Sequence, residues 1–167
     1  MSTVRIGING FGRIGRLTLR ATLGNSKGRV TAINDPFMDR DYLMYLLKYD
    51  SVHGNLKGTV EKADGGIKVN GDFIRLTHEA DPFLINWGAV GADYIAECTG
   101  VFLNTEMGQA HIMAGARKTI LSAPPKDQTP IYVYGVNNQK YTSDQEVVSN
   151  ASCTTNCLAP VAKVLND

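Results

Sequence analysis

The chain has 167 residues, 43% of them hydrophobic and 20% charged, which is enough apolar material for one packed domain. Seventeen Lys and Arg against sixteen Asp and Glu give a formal net charge of +1, so there is no electrostatic footprint for nucleic acid or an anionic membrane. No apolar run reaches transmembrane length, the N-terminus lacks a signal peptide's apolar core, and three cysteines are too few for a disulfide framework, so a reducing, cytoplasmic setting is expected.

Residues 4–8 form a short apolar run of strand length. Asn9-Gly10-Phe11-Gly12-Arg13-Ile14-Gly15-Arg16 follows at once, and residues 17–23 continue as a helix up to Gly24-Asn25. This is G-x-G-x-x-G with a strand before it and a helix after it, the context in which the pattern binds a dinucleotide. Gly10 permits the tight turn, Gly12 lets the backbone approach a pyrophosphate, and Gly15 lets helix and strand pack closely. The N–H groups of Arg13 and Ile14 are expected to point at the phosphates from the first helical turn. The next strand, 29–34, ends at Asp35, 20 residues after Gly15. A carboxylate at that place binds the adenosine ribose hydroxyls and repels a 2′-phosphate, so NAD is expected rather than NADP. Asp35-Pro36 is also a turn signal, which is compatible with that role.

Residues 39–47 read as a helix with Asp39 as its cap. Residues 49–54 read as a loop, in which His53 is isolated from other candidate acid–base residues and is taken as structural. From Gly58 the pattern changes to short segments, 59–61, 67–70 and 73–76, separated by the hairpin signals Ala63-Asp64-Gly65-Gly66 and Asn70-Gly71-Asp72. They imply an antiparallel insertion beside the main parallel sheet, after which 81–87 returns the chain to the core. Residues 93–98 are a strand, with Cys98 inside it, buried and inert, and Thr99-Gly100 at its carboxyl end. A helix over 105–116, a strand over 118–121 ending in Ser122-Ala123-Pro124-Pro125, and a further strand over 131–134 follow. The expected fold is α/β: a Rossmann-type doubly wound, mainly parallel sheet with an antiparallel hairpin insertion. Thr99, Ser122 and Cys153 are then expected on the rim at the strand carboxyl ends.

The last stretch carries the chemistry. Glu146-Val147-Val148 reads as a short buried strand and 158–165 as a helix, apolar at 158, 161, 162 and 165. Between them Ser149-Asn150-Ala151-Ser152-Cys153-Thr154-Thr155-Asn156-Cys157 puts Cys153 at a helix N-terminus, where free N–H groups and the macrodipole favour a thiolate. The hydroxyls around it either cap the helix or hold an anionic substrate. Two readings stand: a capped helix with a buried thiol, or an activated nucleophile. Cys153 and Cys157 lack further histidine or cysteine at ligand spacing, so no metal site is expected. Their separation along a helix is marginal for a disulfide.

Behind the dinucleotide fingerprint, the stretch from Ser149 to Cys157 resembles that of phosphorylating glyceraldehyde-3-phosphate dehydrogenases. The whole chain is similar to their N-terminal half, including Lys48-Tyr49-Asp50-Ser51 and His53-Gly54. The resemblance implies that residues 1–150 are an NAD-binding Rossmann domain. It implies that 151–167 are the start of a catalytic domain whose remainder is truncated. Cys153 is then the nucleophile, and Ser152 and Thr154 hold substrate or inorganic phosphate. The fingerprint residues Asn9, Gly10, Gly12 and Gly15, with Arg13, Ile14, Asp35, Thr99 and Ser122, contact NAD.

In the reaction so implied, the thiolate attacks the aldehyde carbon of glyceraldehyde 3-phosphate, hydride passes to NAD⁺, and phosphate cleaves the thioester to give 1,3-bisphosphoglycerate. The family's activating histidine, its nicotinamide-amide asparagine and the domain that forms its homotetramer have no counterpart in these residues. The isolated chain is therefore expected to turn over little substrate. Glu79-Ala80-Asp81-Pro82 departs from the family's usual Glu-Arg-Asp-Pro or Glu-Lys-Asp-Pro, removing a basic side chain near the adenine. Two alternatives stay open: a paralogue acting on erythrose 4-phosphate, and an NAD-binding module with an interaction role and no turnover.

Overall fold

A computed structural model describes residues 3–167. The strands are β1 (Val4–Asn9), β2 (Gly28–Asn34), β3 (Val60–Ala63), β4 (Gly66–Val69), β5 (Asp72–Thr77), β6 (Tyr94–Glu97), β7 (Lys118–Leu121) and β8 (Val147–Ser149). They form one sheet in the order β3-β4-β5-β2-β1-β6-β7-β8. The helices are α1 (Arg13–Thr22), α2 (Arg40–Lys48), α3 (Thr105–Met113) and α4 (Cys153–Asn166). Every pairing from β5 through to β8 is parallel; only β3–β4 and β4–β5 are antiparallel. Strand order reverses at β1, so the loops after β1 and β6 open the crevice in which doubly wound sheets take ligands.

Apolar side chains cover both faces of the sheet, as parallel strands require. On one face Ile8, Phe11, Leu19, Ile33, Leu43, Leu47, Ile67 and Ile74 tie α1 and α2 to the strands. On the other, Trp87, Ile85, Ile95, Ala32 and Ala116 pack together. The segment 81–87 does return to the core, through a single 3₁₀ turn (Pro82–Leu84) that Asp81 caps by accepting the Phe83 N–H. Asp39 caps α2 as its sequence implies, accepting the Tyr42 N–H at 2.9 Å. Among the described residues no helix is long and apolar enough to cross a membrane.

The antiparallel insertion is present at one edge, and it continues the main sheet: β5 pairs in parallel with β2 while pairing antiparallel with β4. The structure corrects the sequence reading in three places. Residues 131–134 are not a strand. Only Ile131 bridges to Ser149; the Asn137 side chain then accepts the Val133 N–H at 2.7 Å as the chain turns. Helix α3 ends at Met113, with Ala114 as its C-cap, rather than at 116. Cys98 lies one residue past β6 rather than inside it.

Candidate dinucleotide and thiol site

The turn between β1 and α1 has the geometry its glycines imply. Gly10 has φ +86°, a conformation that side chains resist, and a Cβ there would come within 2.9 Å of Thr99. A Cβ on Gly15 would fall 2.1 Å from the Gly10 carbonyl oxygen, so only glycine lets α1 sit so close to the turn. At Gly12 a Cβ would meet nothing within 4 Å: the backbone there faces open space. Gly12 is the N-cap of α1, no side chain caps the helix, and its first turn holds no acidic residue. The N–H groups of Arg13 and Ile14 thus open the helix without intrahelical partners, as an anion-binding terminus needs. The Arg13 guanidinium points elsewhere, into an ion pair with Asp50.

Asp35 closes the far side of the turn. Its Oδ2 accepts the Phe11 N–H at 2.9 Å and its Oδ1 the Phe37 N–H at 3.0 Å, which locks the carboxylate at the mouth of a cavity of about 410 Å³. Asn9, Gly10, Gly12, Asp35 and Thr99 all line this cavity, and so do Glu79 and Ala80. The lining contains two carboxylates and no cationic side chain, a setting that accepts ribose hydroxyls and disfavours a further phosphate.

A second cavity, about 500 Å³, lies on the other side of α1. Ile14, Ser122, Asn150, Ser152 and Cys153 line it. Cys98 borders both cavities, so the rim expected from the sequence is divided into two chambers that share one thiol. Burial pushes the Cys98 thiol up to about 11, against hydrogen bonds to the Ser122 and Thr18 hydroxyls. Cys153 is the first residue of α4 and exposed. Ser152 caps the helix: its Oγ accepts the Thr155 N–H at 2.9 Å and lies 2.7 Å from the Thr155 hydroxyl. Thr154 is exposed on α4, outside both chambers. The loop before Cys153 is held by Ser149, whose hydroxyl donates to the Ala123 carbonyl at 2.8 Å and accepts the Ala151 N–H at 3.0 Å. Ala151 carries φ +63°, a left-handed turn that aims the chain into the helix.

The family model described as "Glyceraldehyde 3-phosphate dehydrogenase, NAD binding domain" matches residues 4–105. The chain belongs to the glyceraldehyde-3-phosphate dehydrogenase family. It is 57% identical to glyceraldehyde-3-phosphate dehydrogenase 1 of Mucor circinelloides f. lusitanicus over 164 residues, 98% of this chain and 48% of that protein. Against the Aspergillus oryzae enzyme it is 54% identical over 167 residues, 100% of this chain and 49% of the relative. The figures for glyceraldehyde-3-phosphate dehydrogenase A of Escherichia coli are 54% over 165 residues, 99% and 49%. The chain thus spans about half the length of the curated relatives it matches.

NAD is the cofactor of the matched domain, and the residues present fit it. The uncapped α1 terminus, the open backbone at Gly12 and the fixed Asp35 carboxylate are what a dinucleotide requires. Sequence reasoning missed the residues behind the cavity wall. Asp50 anchors Arg13 and the 49–54 loop, with His53 Nδ1 3.4 Å from it rather than isolated. Glu97, His111 and Asn34 are buried polar residues. The signal for the latter was present: a Glu, a His and an Asn in otherwise apolar segments need partners inside the core.

Proposed function

We propose that this chain forms the cofactor-binding half of a glycolytic glyceraldehyde-3-phosphate dehydrogenase, with residues 1–150 as the NAD-binding unit and 151–167 as the opening of the catalytic unit. The observation that carries the NAD part is the turn at Gly10–Gly12, open to a phosphate and flanked by a carboxylate fixed through two backbone N–H groups. Asn9, Gly10, Gly12, Gly15, Thr99 and the N–H groups of Arg13 and Ile14 hold the cofactor, Asp35 takes its ribose hydroxyls, and Ser122 lies toward the thiol chamber. Bound NAD⁺ supplies the hydride acceptor.

The substrate chemistry falls to Cys153. Its thiolate sulfur bonds to the aldehyde carbon, the carbonyl electrons move to oxygen, and that oxygen takes a proton. Loss of hydride to the cofactor and of the hydroxyl proton to a base leaves a thioester, which inorganic phosphate cleaves to release the thiolate. Ser152 and Thr154 are the substrate- and phosphate-side hydroxyls in this reading, Ser152 while capping α4. A cytoplasmic homotetramer is the setting we propose for the whole enzyme, on the family resemblance. The names of the relatives support glyceraldehyde 3-phosphate over erythrose 4-phosphate as substrate.

Titration of NAD and NADP into the chain tests the first part. NAD should bind more tightly, and equal affinities would remove Asp35 from its role. Alkylation by iodoacetamide, mapped by peptide mass, tests the second: Cys153 should react before Cys157 and well before Cys98, whose thiol burial suppresses. Modification of Cys98 or Cys157 first would mean the helix terminus does not activate Cys153.

A further inference from the structure

Behind the wall of the cofactor cavity Asn9 and Thr99 join a buried line of polar side chains, Asn34, Glu97, His111 and Trp87, to which the chemistry above gives no role. Glu97, fully buried at the end of β6, meets four donors. Asn9 Nδ2 donates to it at 2.6 Å, His111 Nε2 lies at 2.9 Å, and the Thr99 N–H and hydroxyl donate at 2.8 and 2.5 Å. Trp87 Nε1–H donates to His111 Nδ1 at 3.0 Å, so that nitrogen carries no proton and Nε2 is the donor toward Glu97. On the other side Asn9 Oδ1 accepts from Asn34 Nδ2 at 2.8 Å. The Asn34 amide is fixed in turn: it donates to the Glu79 carbonyl at 2.9 Å and accepts the Glu79 N–H at 2.9 Å.

Both ends of the line are therefore pinned, one by the Glu79 backbone and one by the indole. Asn9, His111 and the Thr99 N–H all donate toward Glu97, and the Thr99 hydroxyl completes its contacts, so one side chain ties together groups from three elements.

We propose that Glu97 is the positioning residue of the NAD site, holding Asn9 and Thr99 in place before the cofactor arrives. This rests on the NAD reading of the cavity those two residues line. The Thr99 hydroxyl lies 2.5 Å from Glu97, and its oxygen accepts the Val101 N–H at 3.1 Å. Thr99 itself backs the Gly10 turn at close range. Freeing Thr99 frees the turn, and affinity falls with the fraction of molecules that keep the binding shape. Glu97→Gln keeps the volume but replaces one acceptor oxygen with NH₂, which faces either the Asn9 and His111 donors or the Thr99 N–H, so in both orientations at least one present hydrogen bond is lost.

The test is calorimetric titration of NAD⁺ into the wild-type 167-residue chain and Glu97→Gln, with thermal melts to establish that both are folded. Binding should weaken about tenfold in the variant. Trp87 is the only tryptophan, so its indole N–H gives a single resonance. That resonance should move on adding NAD⁺ to the wild type and stay still in saturated Glu97→Gln, a readout that lost stability alone would not produce. Should Glu97→Gln fail to fold, the pair His111→Gln and His111→Leu replaces it. Glutamine keeps a donor toward Glu97 and should bind near wild type, whereas leucine should bind about tenfold more weakly. Equal affinities within either comparison overturn the positioning role while the cofactor reading stands. A wild-type chain that binds no NAD⁺ overturns both.

Discussion

Asp50 concentrates more structure on one carboxylate than its place in a loop suggests. It accepts the His53 N–H at 2.8 Å and the Val52 N–H at 2.9 Å, and it pairs with the Arg13 guanidinium at the start of α1. The His53 amide first, then that of Val52 and the Arg13 charge, hold its carboxyl well below the usual carboxylate range, while burial acts the other way. The folded pKa is depressed, so the stability Asp50 contributes is present above the unfolded carboxylate range, near 4, and is lost as pH falls toward the lower folded value. Wild type and Asp50→Asn should therefore differ in urea midpoint at pH 7, with the gap narrowing from about pH 5 downward and still closing below about pH 3. A gap that stays constant over that range would mean Asp50 acts as a hydrogen-bond acceptor and not as a charge. The motif containing Asp50 was visible in the sequence, but its partner was not: Arg13 is 37 residues away, and nothing in local pattern links a helix start to a distant loop.

At the scale of elements, the legible parts are those whose cause is local. The β1–turn–α1 unit, the caps and the two hairpin turns follow from spacing and residue type, and the structure reproduces them. The parallel pairing of β5 with β2 was illegible because register between distant strands is set by burial of both faces, not by either strand's own pattern. The apolar run at Ile131-Tyr132-Val133-Tyr134 misled for the opposite reason: its composition suits a strand, but the Asn137 side chain four residues on takes the Val133 N–H and only Ile131 bridges to β8. Two glycines in the turn separate fold from function. Gly15→Ala would drive a methyl into the Gly10 carbonyl and should destabilise by about 1–3 kcal/mol or more as α1 is pushed off the sheet. Gly12→Ala meets open space at a negative φ, so its melting temperature should stay much closer to wild type than that of Gly15→Ala while NAD binding is lost. Melts and NAD titrations on the two variants decide it. A Gly12→Ala chain that binds NAD normally would place the pyrophosphate somewhere other than this turn.

On the scale of the whole molecule, packing is uneven. The strands around β1 and β6 are closed in by two apolar clusters. In contrast, α4 is a 14-residue helix with no buried residue. The helix expected over 158–165 is present and apolar at 158, 161, 162 and 165, yet Leu158, Val161 and Leu165 are exposed by 63%, 55% and 83%. The pattern states what the helix is able to bury; contacts within the described residues do not bury it. Helices of this length are marginal in water unless a face packs, since nucleation is costly. Pro160 lies in its interior and removes one backbone donor, the one that would bond the Asn156 carbonyl. The first turn is better anchored, because Ser152 caps it and Asn156 Nδ2 donates to the Asn150 carbonyl at 2.7 Å. Native-state hydrogen exchange on the 167-residue chain should then divide the molecule. Amides in β1 and β6 should exchange only by global opening, those at 156–157 at intermediate rates, and those at 161–166 by local fraying at nearly unprotected rates. Protection of 161–166 equal to that of β1 would mean that α4 packs in solution against a surface that these contacts do not show. Its dependence on protein concentration would then tell whether that surface belongs to a second copy of the chain.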